Sequence, residues 1–291
     1  MIEGIITKGI GGFYYVDTED GLIQCRARGV FRENNIIPYV GDKVSITISS
    51  EDGNGYVQEI HDRSSHLIRP PVANVSQAIF VVSIKNPAIN TWLLDKMILM
   101  AEQQDIDIVV CINKYDLDPE RSEEIKRIYN KAGFVTILTS TKTEFGMNEL
   151  KEHLLGHITV IAGPSGAGKS SIINLLSPIF NMETGTVSKK TARGKHTTRH
   201  VELLTLDKNS YVLDTPGFSS LNLDFIEEES DLRYYFRDIN KYTGECKFQS
   251  CLHESEPGCK VKEAVKSGEI DKTRYDNYLL ILEEIKNRRR Y

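Results

Sequence analysis

The sequence predicts three modules in line. They are a small N-terminal β-barrel over residues 1–65, a central α/β domain with a mostly parallel sheet over 70–222, and a C-terminal helical domain organised by a metal over 223–291. Three observations predict this. Short alternating runs broken by glycine turns fill the first sixty residues. From residue 77, continuous apolar runs alternate with helical periodicity. Three of the five cysteines then fall within fourteen residues of one another.

In the first module Val44, Ile46 and Ile48 alternate with Ser45, Thr47 and Ser49, as in a half-buried strand. Ile23, Cys25 and Ala27 alternate with Gln24, Arg26 and Arg28, and residues 13–16 form another strand candidate. Gly11-Gly12, Asp20-Gly21, Gly41-Asp42 and Asp52-Gly53 supply the turns. Five short strands suit an OB-fold, and an SH3-like barrel suits the same count. Residues 61–76 read as a linker, because Pro70-Pro71 excludes a helix.

In the second module residues 77–84, 107–112, 135–138, 158–162 and 211–213 are apolar runs of buried parallel-strand type. Residues 92–104, 120–132 and 147–155 read as helices between them, the pattern of an α/β domain. In the third, Tyr275, Tyr278, Leu279, Leu282 and Ile285 recur at helical spacing and end in Arg288-Arg289-Arg290.

The chain has 291 residues, 40% hydrophobic and 26% charged, with a net charge of -5. That is an ordinary globular composition, and it argues against a generally basic nucleic-acid binder. No apolar run reaches the ~20 residues of a membrane helix. The first residues carry no basic stretch ahead of an apolar block, so no secretory signal is read. Few cysteines, odd in number, point to a reducing cytoplasm.

Gly163-Pro164-Ser165-Gly166-Ala167-Gly168-Lys169-Ser170, followed by Ser171, fits G-x4-G-K-[ST] between a strand and a helix. Its glycines admit close approach of phosphate oxygens, and the amides at the helix start form an anion cradle. Lys169 reaches the β and γ phosphates, and Ser170 suits Mg²⁺. Asn113-Lys114-Tyr115-Asp116 follows another buried strand. The Asp116 carboxylate accepts from N1–H and the exocyclic amine of guanine, whereas adenine presents the reverse pattern. Asn113 holds the loop and the Lys114 stem covers the base. Ser140, in Thr139-Ser140-Thr141-Lys142, completes the base pocket. The base motif precedes the phosphate loop, the reverse of the Ras-like order, so the domain reads as a circularly permuted GTPase.

Asp214-Thr215-Pro216-Gly217 ends the last strand. Asp214 suits Mg²⁺ through water, and the Gly217 amide suits the γ-phosphate. The next residue is Phe218, which cannot polarise water. Between the phosphate loop and this motif lie Lys189, Lys190, Arg193, Lys195, His196, Thr197, Thr198 and Arg199, with no acid from residue 184 to 201. Thr197 or Thr198 suits the second protein ligand of Mg²⁺. His196 suits positioning of the attacking water, or contact with RNA or phosphate. With Arg26, Arg28 and Arg32 of the barrel, the basic residues here form the candidate RNA surface. Cys246, Cys251, His253 and Cys259 supply three thiolates and an imidazole, a closed tetrahedral set for one structural Zn²⁺. The short helical segment has too little core to stand without it. A nucleotide sensor without turnover and a small-molecule kinase are the competing readings. The base motif and the Asp214 motif argue against the kinase.

Together these features resemble the ribosome-small-subunit-dependent GTPase A family, RsgA, also called YjeQ or YloQ. The resemblance spans the whole chain: the barrel with CRARGVFR and PYVGDKV, NKYD before GPSGAGKSS, GKHTTRH, DTPGF, and the C-x4-C-x-H-x5-C knot. It implies an OB-fold, a permuted GTPase domain and a helical zinc domain. It implies binding to the small (30S) ribosomal subunit and its 16S rRNA late in maturation. Slow GTP hydrolysis is accelerated by the subunit, and nucleotide state controls binding and release. The family's catalytic histidine matches His196. A cytoplasmic monomer, with GTP, GDP and other guanine nucleotides as ligands and no membrane partner, completes the expectation.

Overall fold

The computed structural model describes residues 1–29, 31, 36–50, 53–68, 71–177, 201–214 and 222–288, with the backbone alone at Ile68 and Asp214. Arg32, Lys189, Lys190, Arg193, Lys195, His196, Thr197, Thr198, Arg199 and Gly217 lie outside the described residues.

Strands β1 (Ile2–Ile10), β2 (Phe13–Thr18), β3 (Gly21–Ala27), β4 (Lys43–Ile48) and β5 (Gly55–Ile60) close a barrel in the order β1-β2-β3-β5-β4. β3 and β5 run parallel and β1 closes antiparallel on β4. This Greek-key closure is the OB arrangement, and it decides against the SH3-like alternative. The alternation read in β4 fails at two positions. Ser45 is buried and Ile48 is 49% exposed, because the register against β5 slips between Ser45 and Ile46. The Ser45 hydroxyl is satisfied inside, donating to Glu3 Oε1 at 2.7 Å.

The stretch read as a linker contains a ribbon of two strands, β6 (His66–Ile68) and β7 (Pro71–Ala73). Pro71 opens β7, where its missing N–H costs no ladder bond. The ribbon is fastened to the barrel by Asn74, whose Nδ2 donates to Gly41 O at 2.9 Å and whose Oδ1 accepts from Ser64 N at 2.9 Å. Asp42, fully buried, accepts from Tyr39 N and forms a two-point ion pair with Arg63.

The central sheet runs β10-β9-β8-β11-β13-β12. Its strands are β8 (Gln77–Ser83), β9 (Asp107–Asn113), β10 (Val135–Leu138), β11 (Ile158–Ala162), β12 (Leu204–Asp207) and β13 (Ser210–Asp214). All pair parallel except the edge hairpin β12–β13. The parallel strands of the sheet are buried on both faces, which is why they read as apolar runs, whereas the edge strand β12 is not. Ala78, Phe80, Val82 and Val110 face a core shared with the barrel and with helices α1 (Thr91–Glu102) and α2 (Pro119–Lys131). Ile79, Val81, Val109 and Cys111 face α3 (Met147–Glu152) and α4 (Lys169–Leu176). Asn90 caps α1 and Asp118 caps α2, each accepting from a backbone N–H three residues on.

β12 was not anticipated. Its hairpin lies against the barrel: Leu203 N donates to Thr7 O at 2.8 Å, Lys8 pairs with Glu202 at 2.9 Å, and the Tyr211 hydroxyl donates to Asp17 Oδ2 at 3.0 Å. The exposed alternation of β12 gave only a weak strand signal.

The C-terminal region holds α5 (Arg237–Asn240), α6 (Lys260–Ser267) and α7 (Lys272–Arg288). α7 packs on α1 through Leu99, Tyr278, Ile281, Leu282 and Ile285. Its inner face also buries Arg274 and Asn277, which helical spacing of apolar residues does not disclose. Arg288 is no free tail, since it pairs with Asp224 and donates to Ile226 O. No helix among the described residues is long and apolar enough to cross a membrane.

Candidate nucleotide site and metal centre

The phosphate loop leaves the C-terminal end of β11 and enters α4, where ligands gather in open α/β sheets. Gly163, Gly166 and Gly168 have φ of 146°, 77° and 100°. At Gly168 the requirement is steric as well: an added Cβ would lie 2.2 Å from Asn113 Nδ2. Lys169 Nζ donates across the loop to Gly163 O at 2.8 Å and Pro164 O at 3.1 Å. Ser165 is exposed, while Ser170 and Ser171 are half-buried in the first turn of α4.

Asn113 ends β9, two strands away from β11 in the sheet. It is fully buried, and its Nδ2 donates to Ala167 O at 2.9 Å. Thr139 Oγ1 donates to Asn113 Oδ1 at 3.3 Å and fixes the amide orientation. Lys114 adopts φ of +63° and its Nζ donates to Gly166 O at 2.8 Å and to Asn86 O. Partial burial pulls the Lys114 pKa down. The Ser140 hydroxyl donates to Asp116 Oδ1 at 2.6 Å. Residues fifty positions apart in sequence therefore form one pocket, with Asn113 and Lys114 gripping the phosphate loop and Ser140 aiming the carboxylate. Gly168→Ala is expected to break the Asn113–Ala167 bond and weaken guanine-nucleotide binding by roughly tenfold or more. Titration with a fluorescent GDP analogue checks it, and parent affinity would show that the loop tolerates the side chain.

The register Ile161↔Asp214 sets the end of β13 beside the start of the phosphate loop. On the barrel, Arg26 and Arg28 are exposed. The Arg26 guanidinium lies over the Phe13 ring at 4.8 Å, and Arg28 Nη1 donates to Gln58 Oε1 at 2.9 Å.

Cys246, Cys251, His253 and Cys259 bring their ligand atoms within 4.8 Å of one another. Cys246 Sγ and Cys259 Sγ lie 3.5 and 3.4 Å from His253 Nδ1, and 3.9 Å from each other. Bond lengths of ~2.3 Å to sulfur and ~2.0 Å to nitrogen give tetrahedral edges of about 3.5 and 3.8 Å. The donor set therefore fits a small divalent ion. Burial brings the His253 pKa down to about 4, so the ring stays in its ligating neutral form. His253 has φ of +62°. Its backbone carbonyl accepts from Tyr275 Oη at 2.7 Å, and that of Leu252 from Tyr278 Oη at 3.1 Å. Glu256, which the ligand spacing conceals, closes the knuckle by accepting from Leu252 N, Glu254 N and Ser255 N at 2.6, 2.9 and 3.0 Å. Cys25 and Cys111 are buried strand residues, their thiols pushed up by burial to about 11 and about 12.

Comparison with known proteins agrees with this geometry. Residues 60–224 match the family described as RsgA GTPase, and residues 3–57 match the RsgA N-terminal domain. The small ribosomal subunit biogenesis GTPase RsgA of Clostridium perfringens is 52% identical over 289 residues, covering 99% of each chain. Its namesake from Caldanaerobacter subterraneus subsp. tengcongensis is 52% identical over 293 residues, covering 100% of this chain and 98% of the other. The crystal structure of YloQ, described as a circularly permuted GTPase, superposes with a TM-score of 0.81 at 41% identity, over 99% of this chain and 96% of that one. YjeQ from Thermotoga maritima gives a TM-score of 0.81 at 37% identity, over 97% and 98%. With a permuted phosphate-loop domain, a closed barrel and relatives matched end to end, this chain belongs to the RsgA family of GTPases and is a GTP hydrolase.

Proposed function

We propose that this enzyme assists late maturation of the small (30S) ribosomal subunit, hydrolysing GTP slowly alone and faster on the subunit, with nucleotide state controlling binding and release. The observation that carries the nucleotide part is the grip of Asn113 and Lys114 on Ala167 O and Gly166 O. It couples a guanine-selective loop to a phosphate cradle. The name borne by relatives over half identical supports the ribosomal part. Gly163 to Ser171 hold the phosphates, Asp116 reads the base, and Ser140 holds Asp116. Gly217 meets the γ-phosphate.

Mg²⁺ bound with GTP would supply charge neutralisation at the phosphates. Ser170, Asp214 and either Thr197 or Thr198 would hold it. Zn²⁺ is the ion of the Cys246, Cys251, His253 and Cys259 set, and its role is structural. Arg26, Arg28 and Arg32, with Lys189, Lys190, Arg193, Lys195 and Arg199, contact 16S rRNA. Other guanine nucleotides compete for the same pocket. The modules are 1–65, 70–222 and 223–291, and the protein works as a cytoplasmic monomer.

His196 positions the attacking water in the subunit-bound state. His196→Ala is expected to leave GDP and GTP affinity unchanged and to cut subunit-stimulated turnover by about 10²- to 10⁴-fold. Steady-state phosphate release with and without small subunits measures it, and unchanged stimulated turnover refutes the role. Co-sedimentation with subunits under GDP and a non-hydrolysable GTP analogue tests the switch. Equal binding in both states refutes it.

A further inference from the structure

We propose that Phe145 is a positioning residue for guanine recognition, holding the aspartate-bearing loop and the serine-bearing loop in one register through its stack on Tyr115. The proposal rests on reading Asn113 to Asp116 as the base site. Phe145 is 49% exposed, so core burial does not explain its place. Its ring lies 4.7 Å from that of Tyr115, tilted by only 16°. Tyr115 stands between Lys114 and Asp116, the two residues that meet the phosphate loop and the base.

The segment carrying Phe145 is closed on itself. Ser140 N donates to Phe145 O at 3.0 Å, and Thr143 N donates to Ser140 Oγ at 3.3 Å. Ser140 Oγ in turn donates to Asp116 Oδ1 at 2.6 Å. One small loop thus touches the base motif twice, through a ring on Tyr115 and a hydroxyl on Asp116. Its exit is fixed by Gly146, with φ of +71°, where an added Cβ would lie 1.9 Å from Leu138 O. Glu144 is also in the left-handed region, at φ of +59°. The backbone delivers the Phe145 ring to one place, and the ring selects one placement of Tyr115 and so of Asp116. A stacked pair contributes beyond the area it covers because parallel faces are geometrically selective.

Phe145→Ala and Phe145→Leu are expected to raise Kd for GDP and GTP alike by about 3- to 10-fold, with kcat at saturating GTP unchanged. Phe145→Tyr keeps the stacking face and is expected to bind like the parent. Phe145→Leu keeps apolar bulk, so it separates a loss of stacking from a loss of fold. Tyr115→Ala combined with Phe145→Ala is expected to be no weaker than the weaker single variant. Asp116→Asn serves as the control for the base site, and is expected to shift preference from guanine to xanthine nucleotides. Parent affinity in Phe145→Leu, or equal loss in Phe145→Tyr, overturns the clamp while leaving the base site standing. Retained guanine preference in Asp116→Asn overturns the base site itself.

Discussion

Removing the metal proposed for the Cys246, Cys251, His253 and Cys259 set is expected to unfold residues 246–259 and loosen the C-terminal domain around them. Structural zinc contributes binding free energy of about 10–16 kcal/mol in small peptides, and that energy is folding energy. Here the ion would tie a loop that carries little core of its own, since Cys251 and Cys259 are its buried apolar groups. Two bonds extend the effect: the Tyr275 and Tyr278 hydroxyls reach the carbonyls of His253 and Leu252, so the ligand loop is also a support for α7. Chelation, or Cys251→Ser, should abolish amide-exchange protection across 246–259 and reduce metal content from one ion per chain to none. Full protection in metal-free protein would show that the four side chains pack without an ion.

Arg274→Ala is expected to destabilise the protein by about 3–5 kcal/mol, lowering the Tm by roughly 10 °C. Arg274 is 1% exposed and pairs with Asp95, which is fully buried, and with Asp238 at 3.1 Å. Burial opposes its charge, yet the two carboxylates outweigh it and hold the guanidinium protonated. Asn277 Nδ2 and the Tyr129 hydroxyl donate to the remaining positions on Asp95 at 2.6 and 2.9 Å. The guanidinium also lies 4.6 Å over the Phe236 ring. Truncating Arg274 leaves Asp95 and Asp238 buried without a cation, whereas neutralising all three groups together leaves no buried charge. Asp95→Asn and Asp238→Asn combined with Arg274→Met is therefore expected to recover most of the loss. Thermal unfolding of the three proteins measures this. A single-variant loss below about 1 kcal/mol would mean that water enters and solvates the site.

The site was more legible than the joints between modules. Gly163 to Ser170 and Asn113 to Asp116 are short runs whose functional groups sit on consecutive residues, so adjacency in sequence carries adjacency in space. The metal ligands share that property, within fourteen residues. The buried cluster of Asp95, Arg274 and Asp238 did not, because each residue is an ordinary charge on an amphipathic helix or turn until tertiary packing covers it. The barrel strands were legible from alternation, but the slip that turns Ser45 inward depends on pairing with β5 and leaves no local trace. The prolines read as a linker concealed a ribbon in which Pro71 opens a strand, since extended backbone suits either.

The hairpin β12–β13 on the barrel has a consequence for synthesis. The Asp17 carboxylate and the Tyr211 hydroxyl that meet there are 194 residues apart. At ~5–20 residues per second, the ribosome needs roughly 10–40 s between making one and making the other. The barrel strands are all available by residue 60, yet Thr7 O and Asp17 face water until the last third of the chain emerges. One face of the first module made is thus among the last surfaces to acquire its permanent neighbour.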